Sequence, residues 1–352
     1  RKDAGDPARL AQHRQGAASP NLTTWPIVFI IHRKSRLTMI VRKHLRWRRV
    51  IGKSRGFLSY IIALSSFVYI AQRAEQRHHF EYLQIHLPFG VVAMLATALA
   101  IFLAFRNNSA YDRWWEARKI WGGIVNSSRT FGRQVMSLTS MSQEPPGNIS
   151  AFQKELIYRH IAWINALRLQ LRKLPVRDEL KPLLAPTEFE WMMHRQNHAT
   201  QLVQKQALRI AVGRKENLIV EARYLEILDR TLTSLYDLQG KAERIKNTPL
   251  PRQYDYFPRV FLFLFVTLLP SGMITELEKV DSSWMVIPLA TVVSYVFYVL
   301  MRVGEFNEDP FEGRFSDTPM TALCRTIEID MREQLGETDL PPKLEPVDGI
   351  LM

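Results

Sequence analysis

Two pairs of histidines are the first residues whose types and spacing could do chemistry. His194 and His198 lie four residues apart, which on a helix would place both imidazoles on one face, as a shared metal ion requires. The residues between them are Arg, Gln and Asn, without the glutamate that accompanies such a pair in zinc peptidases. We therefore favour a solvent-facing pair over a metal site.

The second pair, His78 and His79, falls in a short predicted loop, where it could sense pH near an entrance. Loop histidines are usually only solvated, and we favour that interpretation. Cys324 is the only cysteine, which excludes intrachain disulfides and cysteine-based metal sites. The sequence contains no serine elbow, catalytic-triad spacing or cofactor fingerprint, so the chain is not predicted to be an enzyme.

The apolar run Leu83–Phe105 has the pattern most relevant to function. It is about long enough to cross a bilayer as a helix, and Thr97, Ile101 and Phe105 would form one stripe along it. Small residues let helices approach closely in lipid, and a second stripe is small: Ala96, Ala100 and Ala104. Several such helices around an axis would enclose a narrow apolar pore. An ordinary buried transmembrane helix is the alternative.

Four apolar runs position these residues in a membrane, since each approaches the length of a spanning helix and holds few or no charges. They are Gly56–Ala71, Leu83–Phe105, Pro258–Ile274 and Trp284–Met301. The connections within each pair are short, so the runs form two hairpins. The formal net charge of +13 would also suit a nucleic-acid binder. No such motif is visible and the central charges are mixed, so no nucleic-acid partner is predicted.

Basic residues set the orientation of these hairpins. Seven Lys or Arg residues lie between Arg42 and Arg55, whereas the loop after the third run contains Glu276, Glu278 and Asp281. By the positive-inside tendency both termini and the central segment are cytoplasmic. The basic excess then contacts anionic lipid headgroups of the bilayer.

The chain divides into five parts. Met39 is the first methionine, so we expect residues 1–38 to be a non-native or disordered extension, with an Arg-rich transit peptide as the alternative. The other parts are a segment with the first hairpin (39–105), a cytosolic helical domain (106–257), the second hairpin (258–301) and a cytosolic C-terminal segment (302–352). Helical periodicity recurs through the central domain, in segments that include Glu188–Val212, and predicts an all-α fold.

Two motifs carry a family resemblance. The first, NSAYDRWWEARKIWG, spans residues 108–122; the second runs from GEFNEDPFE at residue 304 to CRTIE at residue 324. In this order around four spans, they resemble the bestrophin family in its bacterial-type branch, from Met39 to about Glu333. We also expect charges of the first motif, among them Asp112, Arg113 and Glu116, to pair across helices.

The resemblance implies a homopentameric passive ion channel in a bacterial inner membrane, with four transmembrane helices and a helical cytosolic domain in each subunit. The family's hydrophobic neck falls on Thr97, Ile101 and Phe105, which agrees with the stripe found above. A second, cytosolic constriction falls near Arg223, although one helical turn of error would place Glu226 there. An arginine ring would favour anions.

Animal members of the family carry a calcium clasp after the last span. Here that segment has four carboxylates in a run interrupted by other residues: Glu305, Glu308, Asp309 and Glu312. Calcium prefers six to eight oxygens, so these residues alone predict a helix-linking turn, with calcium as the alternative and no other cofactor.

The resemblance implies chloride or another small anion as the permeant ion. Arg106 near the inner end of the neck favours anions as well. Acidic residues of the outer loops favour the alternative, a cation (sodium) channel of the same fold. A non-conducting membrane scaffold is the third possibility.

Overall fold

The computed structural model describes residues 54–78, 87–140, 142, 144–314 and 316–346. Within these ranges the regular structure is helical, and no strand occurs. The α-helices are α1 (Arg55–His78), α2 (Phe89–Thr139), α3 (Pro146–Leu171), α4 (Arg177–Leu180), α5 (Pro186–Met193), α6 (His198–Lys215), α7 (Ala222–Asn247), α8 (Gln253–Glu278), α9 (Val286–Asn307) and α10 (Met320–Gln334). The expected extension over residues 1–38 and the side chains of the His78–His79 pair lie outside the described residues.

Helix α2 joins the membrane layer to the cytosolic layer without a break. It runs for 51 residues, about 75 Å at the usual rise per residue. Its first part is apolar and its second part begins with the polar segment Arg106-Asn107-Asn108-Ser109. No proline interrupts it, and the polar residues are compatible with a helix. The predicted boundary at residues 105 and 106 therefore falls inside one helix.

The membrane layer consists of α1, the first part of α2, α8 and α9, which are long and apolar enough to cross a bilayer. Its small core is formed by side chains such as Ile61, Leu99 and Phe265. Only 11–39% of each candidate span is buried inside the chain. Most of the apolar surface of these helices is thus left for lipid or for other copies of the chain.

Glycines provide the closest helix contacts within this layer. A Cβ atom at Gly272 on α8 would lie 2.7 Å from Cγ2 of Val92 on α2, and one at Gly304 on α9 would overlap the side chain of Asn107. Within the chain these contacts, rather than the alanine stripe, let the helices approach. Ala96 is half-buried, while Ala100 and Ala104 are exposed.

The cytosolic layer packs around α3, whose apolar side chains are buried on nearly all sides. Trp121 of α2, Trp163 of α3 and Phe311 of the segment after α9 belong to one continuous core. The buried indole Nε1–H of Trp163 donates to Oε1 of Gln239 at 3.0 Å, so the polar atom of this large side chain is satisfied.

The expectation of one helix through residues 188–212 is wrong. The chain leaves the helix after Met193 and starts a new one at His198. Asn197 causes the restart, because its side-chain oxygen accepts a hydrogen bond from the backbone N–H of Thr200 at 3.0 Å and caps α6. His194 ends one helix and His198 begins the next, so the two do not share a helix face.

Candidate ion pathway

Ile101 and Phe105 lie on an uncovered face of α2. Their side chains are 52% and 64% exposed, whereas Leu99 and Leu103 on the opposite side are fully buried against the other spans. Thr97 is exposed on the same face. Its hydroxyl donates to the backbone oxygen of Ala93 at 2.9 Å, so it is already satisfied within the helix.

Arg106, one residue beyond this stripe, points the other way. Its side chain is 1% exposed, and Nη2 lies 2.5 Å from Asp255 on α8 and 3.1 Å from Glu308 at the end of α9. Two carboxylates therefore surround one guanidinium in a buried site. The expectation that Arg106 favours anions at the inner end of the neck is wrong, because its charge is buried and paired.

Sequence reasoning missed Asp255 as the partner of Arg106. The available signal was an acidic residue in the first turn of an otherwise apolar helix, four residues before Arg259. A carboxylate is favourable near a helix N-terminus, so this position alone explained its presence without a partner elsewhere. Only the packing of α8 against α2 shows the second role.

Arg113 and Trp114 form further contacts at the junction between the membrane and cytosolic layers, about two helical turns beyond Arg106 on α2. The guanidinium of Arg113 donates to the backbone oxygens of Ile245, Thr248 and Glu308 at 2.7–3.0 Å. These carbonyl groups lie at the C-terminal ends of α7 and α9. Backbone oxygens at such ends have no hydrogen-bond partner within their own helix. Trp114 Nε1 donates to the backbone oxygen of Ser316 at 2.7 Å.

The charges of the first motif thus pair across helices only in part. Glu116 accepts from Arg244 of α7 at 2.6 Å, as expected. Arg113 uses backbone oxygens instead of a carboxylate. Asp112 makes no hydrogen bond or ion pair with any residue that the structure describes.

Each of the four carboxylates at the end of α9 and just after it faces a basic side chain. Glu305 pairs with Arg302 and lies 3.1 Å from Arg259. The others pair as follows: Glu308 with Arg106 at 3.1 Å, Asp309 with Arg314 at 3.7 Å and Glu312 with Lys246 at 2.5 Å. No group of three or more metal-ligating side chains occurs in the described ranges. These carboxylates are used as ion-pair partners, and the set does not fit a calcium ion.

Asp317 is a buried carboxylate that holds the turn before α10. Its Oδ2 accepts from the backbone N–H of Arg314 at 2.9 Å, while Oδ1 is buried without a partner among the described residues. Burial raises the pKa of this carboxyl to about 6, against the opposing effect of its backbone hydrogen bonds. The carboxylate therefore binds the turn before α10 and does not cap α10 itself.

Arg223, the expected residue of a cytosolic constriction, lies in the first turn of α7 and is exposed. Glu226, one turn further, is also exposed and pairs with Arg230 at 2.6 Å. Within one chain, nothing brings Arg223 and the neck residues together. A shared axis between copies is what would align them.

The fold and this junction define an all-α membrane protein with four apolar helices that continue into a helical cytosolic layer. The family model described as bacterial/fungal bestrophin protein matches residues 32–333. This match begins upstream of Met39. The chain therefore belongs to the bestrophin family, as its two motifs indicated.

Relatives and solved structures agree with this family. A voltage-dependent anion channel-forming protein from Mesorhizobium japonicum is 35% identical over 74% of this chain and 78% of its own. A voltage-dependent anion channel-forming protein from Escherichia coli K12 is 30% identical over 88% of this chain and 98% of its own. A bacterial bestrophin homolog from Klebsiella pneumoniae has a TM-score of 0.72 at 26% identity, covering 81% of this chain and 98% of its own. Membership in this family confirms the fold class and the prediction that the chain is not an enzyme.

Proposed function

We propose that the chain forms an anion channel whose neck is the stripe Thr97, Ile101 and Phe105. The observation that carries this proposal is the exposure of Ile101 and Phe105 on α2, inside a spanning segment that packs on the other spans through Leu99 and Leu103. Large apolar side chains at that depth can face lipid or a pore. The names of two relatives as anion channel-forming proteins favour a pore.

The neck controls the passage of ions by filling with water or excluding it. A tight ring of Ile and Phe side chains disfavours water and ions, and passes them when the helices move apart. Thr97 adds little polarity to its ring, because its hydroxyl is bonded to the backbone of its own helix. A ring needs several copies around one axis, and we propose the homopentamer that the family resemblance implies.

Selection for anions requires positive charge elsewhere, because an apolar neck does not distinguish ions by sign. Arg106 is buried and cannot supply it. We assign this role to Arg223, whose exposed position on α7 leaves its charge available. Glu226 is a weaker candidate for that ring, since Arg230 neutralises its carboxylate. Chloride is the permeant anion that we propose.

The channel is proposed to work without bound calcium. Arg and Lys side chains already pair with the four carboxylates at the end of α9 and just after it, and they join this segment to α2, α7 and α8. The protein is placed in a bacterial inner membrane with both termini cytoplasmic, in agreement with the excess of basic residues before the first span.

Reversal potentials in planar bilayers test this proposal. Purified protein is measured under a sodium chloride gradient, beside the double variant Ile101→Ala/Phe105→Ala. We expect a reversal near the chloride potential and a larger current in the variant, because a wider neck wets more easily. The matched control is Phe67→Ala/Ile70→Ala, which removes two equally exposed apolar side chains from α1.

Three results would contradict the proposal in different ways. A reversal near the sodium potential would keep the pore and replace anion by cation selectivity. Equal currents from the neck variant and the α1 control would remove the neck from these positions. The absence of current from every protein would favour a non-conducting scaffold.

A further inference from the structure

The uncovered face of α2 continues past the neck into the cytosolic layer. At about 100° per residue, the side chains within about 40° of Ile101 on the helix form one straight sector. Seven exposed residues of this sector follow the neck: Asn108, Asp112, Trp115, Lys119, Asn126, Arg133 and Ser137. Lipid cannot cover this part of the helix, because it lies beside the cytosolic core. Water or another copy of the chain must do so.

Asp112 and Lys119 are the first charged residues of this sector below the neck. On the helix they lie about 20° and about 0° from Ile101, and about 10 Å and about 20 Å beyond Phe105. Both are exposed, and neither has a hydrogen bond or ion pair with a residue that the structure describes. Their charges are therefore available to mobile ions.

The neighbouring charges of α2 are used differently. Arg106 is buried between two carboxylates, Arg113 binds three backbone oxygens, and Glu116 pairs with Arg244. These three side chains point away from the sector or toward its edge, where they hold helices together. Asp112 and Lys119 differ from these three in lying on the face of the neck, unpaired with any described residue.

We propose that Asp112 and Lys119 line the ion path below the neck and set its charge preference as two rings of opposite sign. This inference rests on the proposed channel, in which every copy contributes one residue to each ring. The Lys119 ring attracts anions into the cytosolic part of the path. The Asp112 ring, next to the neck, repels them and limits the preference for anions over cations.

Charge-neutralising variants test the two rings in opposite directions. Reversal potentials under a sodium chloride gradient give the permeability ratio of chloride to sodium. Asp112→Asn should raise this ratio and Lys119→Gln should lower it, each by about twofold to fivefold, because several charges act across roughly one Debye length of water. The matched controls are Asp178→Asn and Lys181→Gln, which neutralise exposed charges near the short helix α4 and should leave the ratio unchanged.

The inference fails if the ratio stays constant in either ring variant, or if both variants shift it in the same direction. These outcomes differ from failure of the proposed function, in which the unaltered protein carries no selective current. A measurement that does not depend on ion current distinguishes failure of this inference from failure of the proposed function in a second way.

Cysteine labelling provides this second measurement, because the single native cysteine, Cys324, is buried. Lys119→Cys in the detergent-solubilised oligomer should react with a small maleimide but not with a maleimide on a large polymer, which cannot enter a narrow path. Asp178→Cys, at an exposed position of α4, should react with both. Equal reaction of Lys119→Cys with both reagents, or with neither, would place this residue outside the path and overturn the inference.

Discussion

Replacing Arg106 by methionine should destabilise the junction between the membrane and cytosolic layers more than any exposed ion pair could. Methionine keeps the unbranched stem but removes the guanidinium. Glu308 is then left without a cation among the described residues, and Asp255 keeps only Arg259, at 2.9 Å. Removing one partner of a buried pair typically costs about 3–5 kcal/mol. We expect a loss in that range, because the Arg106 side chain is 1% exposed.

The free energy of unfolding in detergent, followed by tryptophan fluorescence in denaturant, measures this loss. The control is Arg230→Met, whose partner Glu226 is 2.6 Å away. Both of those side chains are mostly exposed, so this pair should contribute only about 0.3–0.5 kcal/mol. The two variants remove the same group and differ in its burial and in the number of carboxylates that it contacts.

A neutral version of the site separates charge from packing. Adding Asp255→Asn and Glu308→Gln to Arg106→Met removes the carboxylates that Arg106 contacted and should recover most of the lost stability. Burial raises the pKa of Glu308 while Arg106 lowers it, so the single variant should also lose less stability at acid pH, where Glu308 takes up a proton. An Arg106→Met loss no larger than that of Arg230→Met, or no recovery in the triple variant, would refute this reasoning.

Two further perturbations test the packing and the titration of the same region. Gly272→Ala places a Cβ atom 2.7 Å from Val92 and should lower the free energy of unfolding by about 1–3 kcal/mol. The control Gly240→Ala, which has open space around it, should not destabilise the protein. Equal effects of the two variants would contradict the close contact at Gly272. The Asp317 carboxyl has a pKa raised by burial to about 6, above the 3.8 of an ordinary aspartate. The folded chain thus binds this proton more tightly than the unfolded chain, and the native protein should gain stability relative to Asp317→Asn as the pH falls from about 7 to about 4. Parallel pH profiles of the two proteins would count against the buried carboxylate.

The sequence by itself determined the fold class, the four spans and the family. Long apolar runs need a helix in lipid, because a helix satisfies every backbone hydrogen bond within its own segment. The stripe of Thr97, Ile101 and Phe105 was visible for the same reason, since helical spacing fixes which residues share a face.

Local signals were less decisive where a polar side chain competed with helix propensity. Periodicity alone joined residues 188–212 into one helix, but the side chain of Asn197 accepts a backbone hydrogen bond and starts a new helix. The expectation that His194 and His198 share one helix face depended on that single helix, so it is wrong for the same reason.

Only the tertiary structure decided which charges are free. Arg106 and Lys119 are both basic residues of one helix, and the sequence offers no way to tell that the first is buried between carboxylates from α8 and α9. Their partners are far away in the chain, and burial depends on how helices pack rather than on local spacing. The same packing brings basic side chains from α2, α7 and α8 to the acidic segment at the end of α9. The carboxylates of this segment therefore form ion pairs.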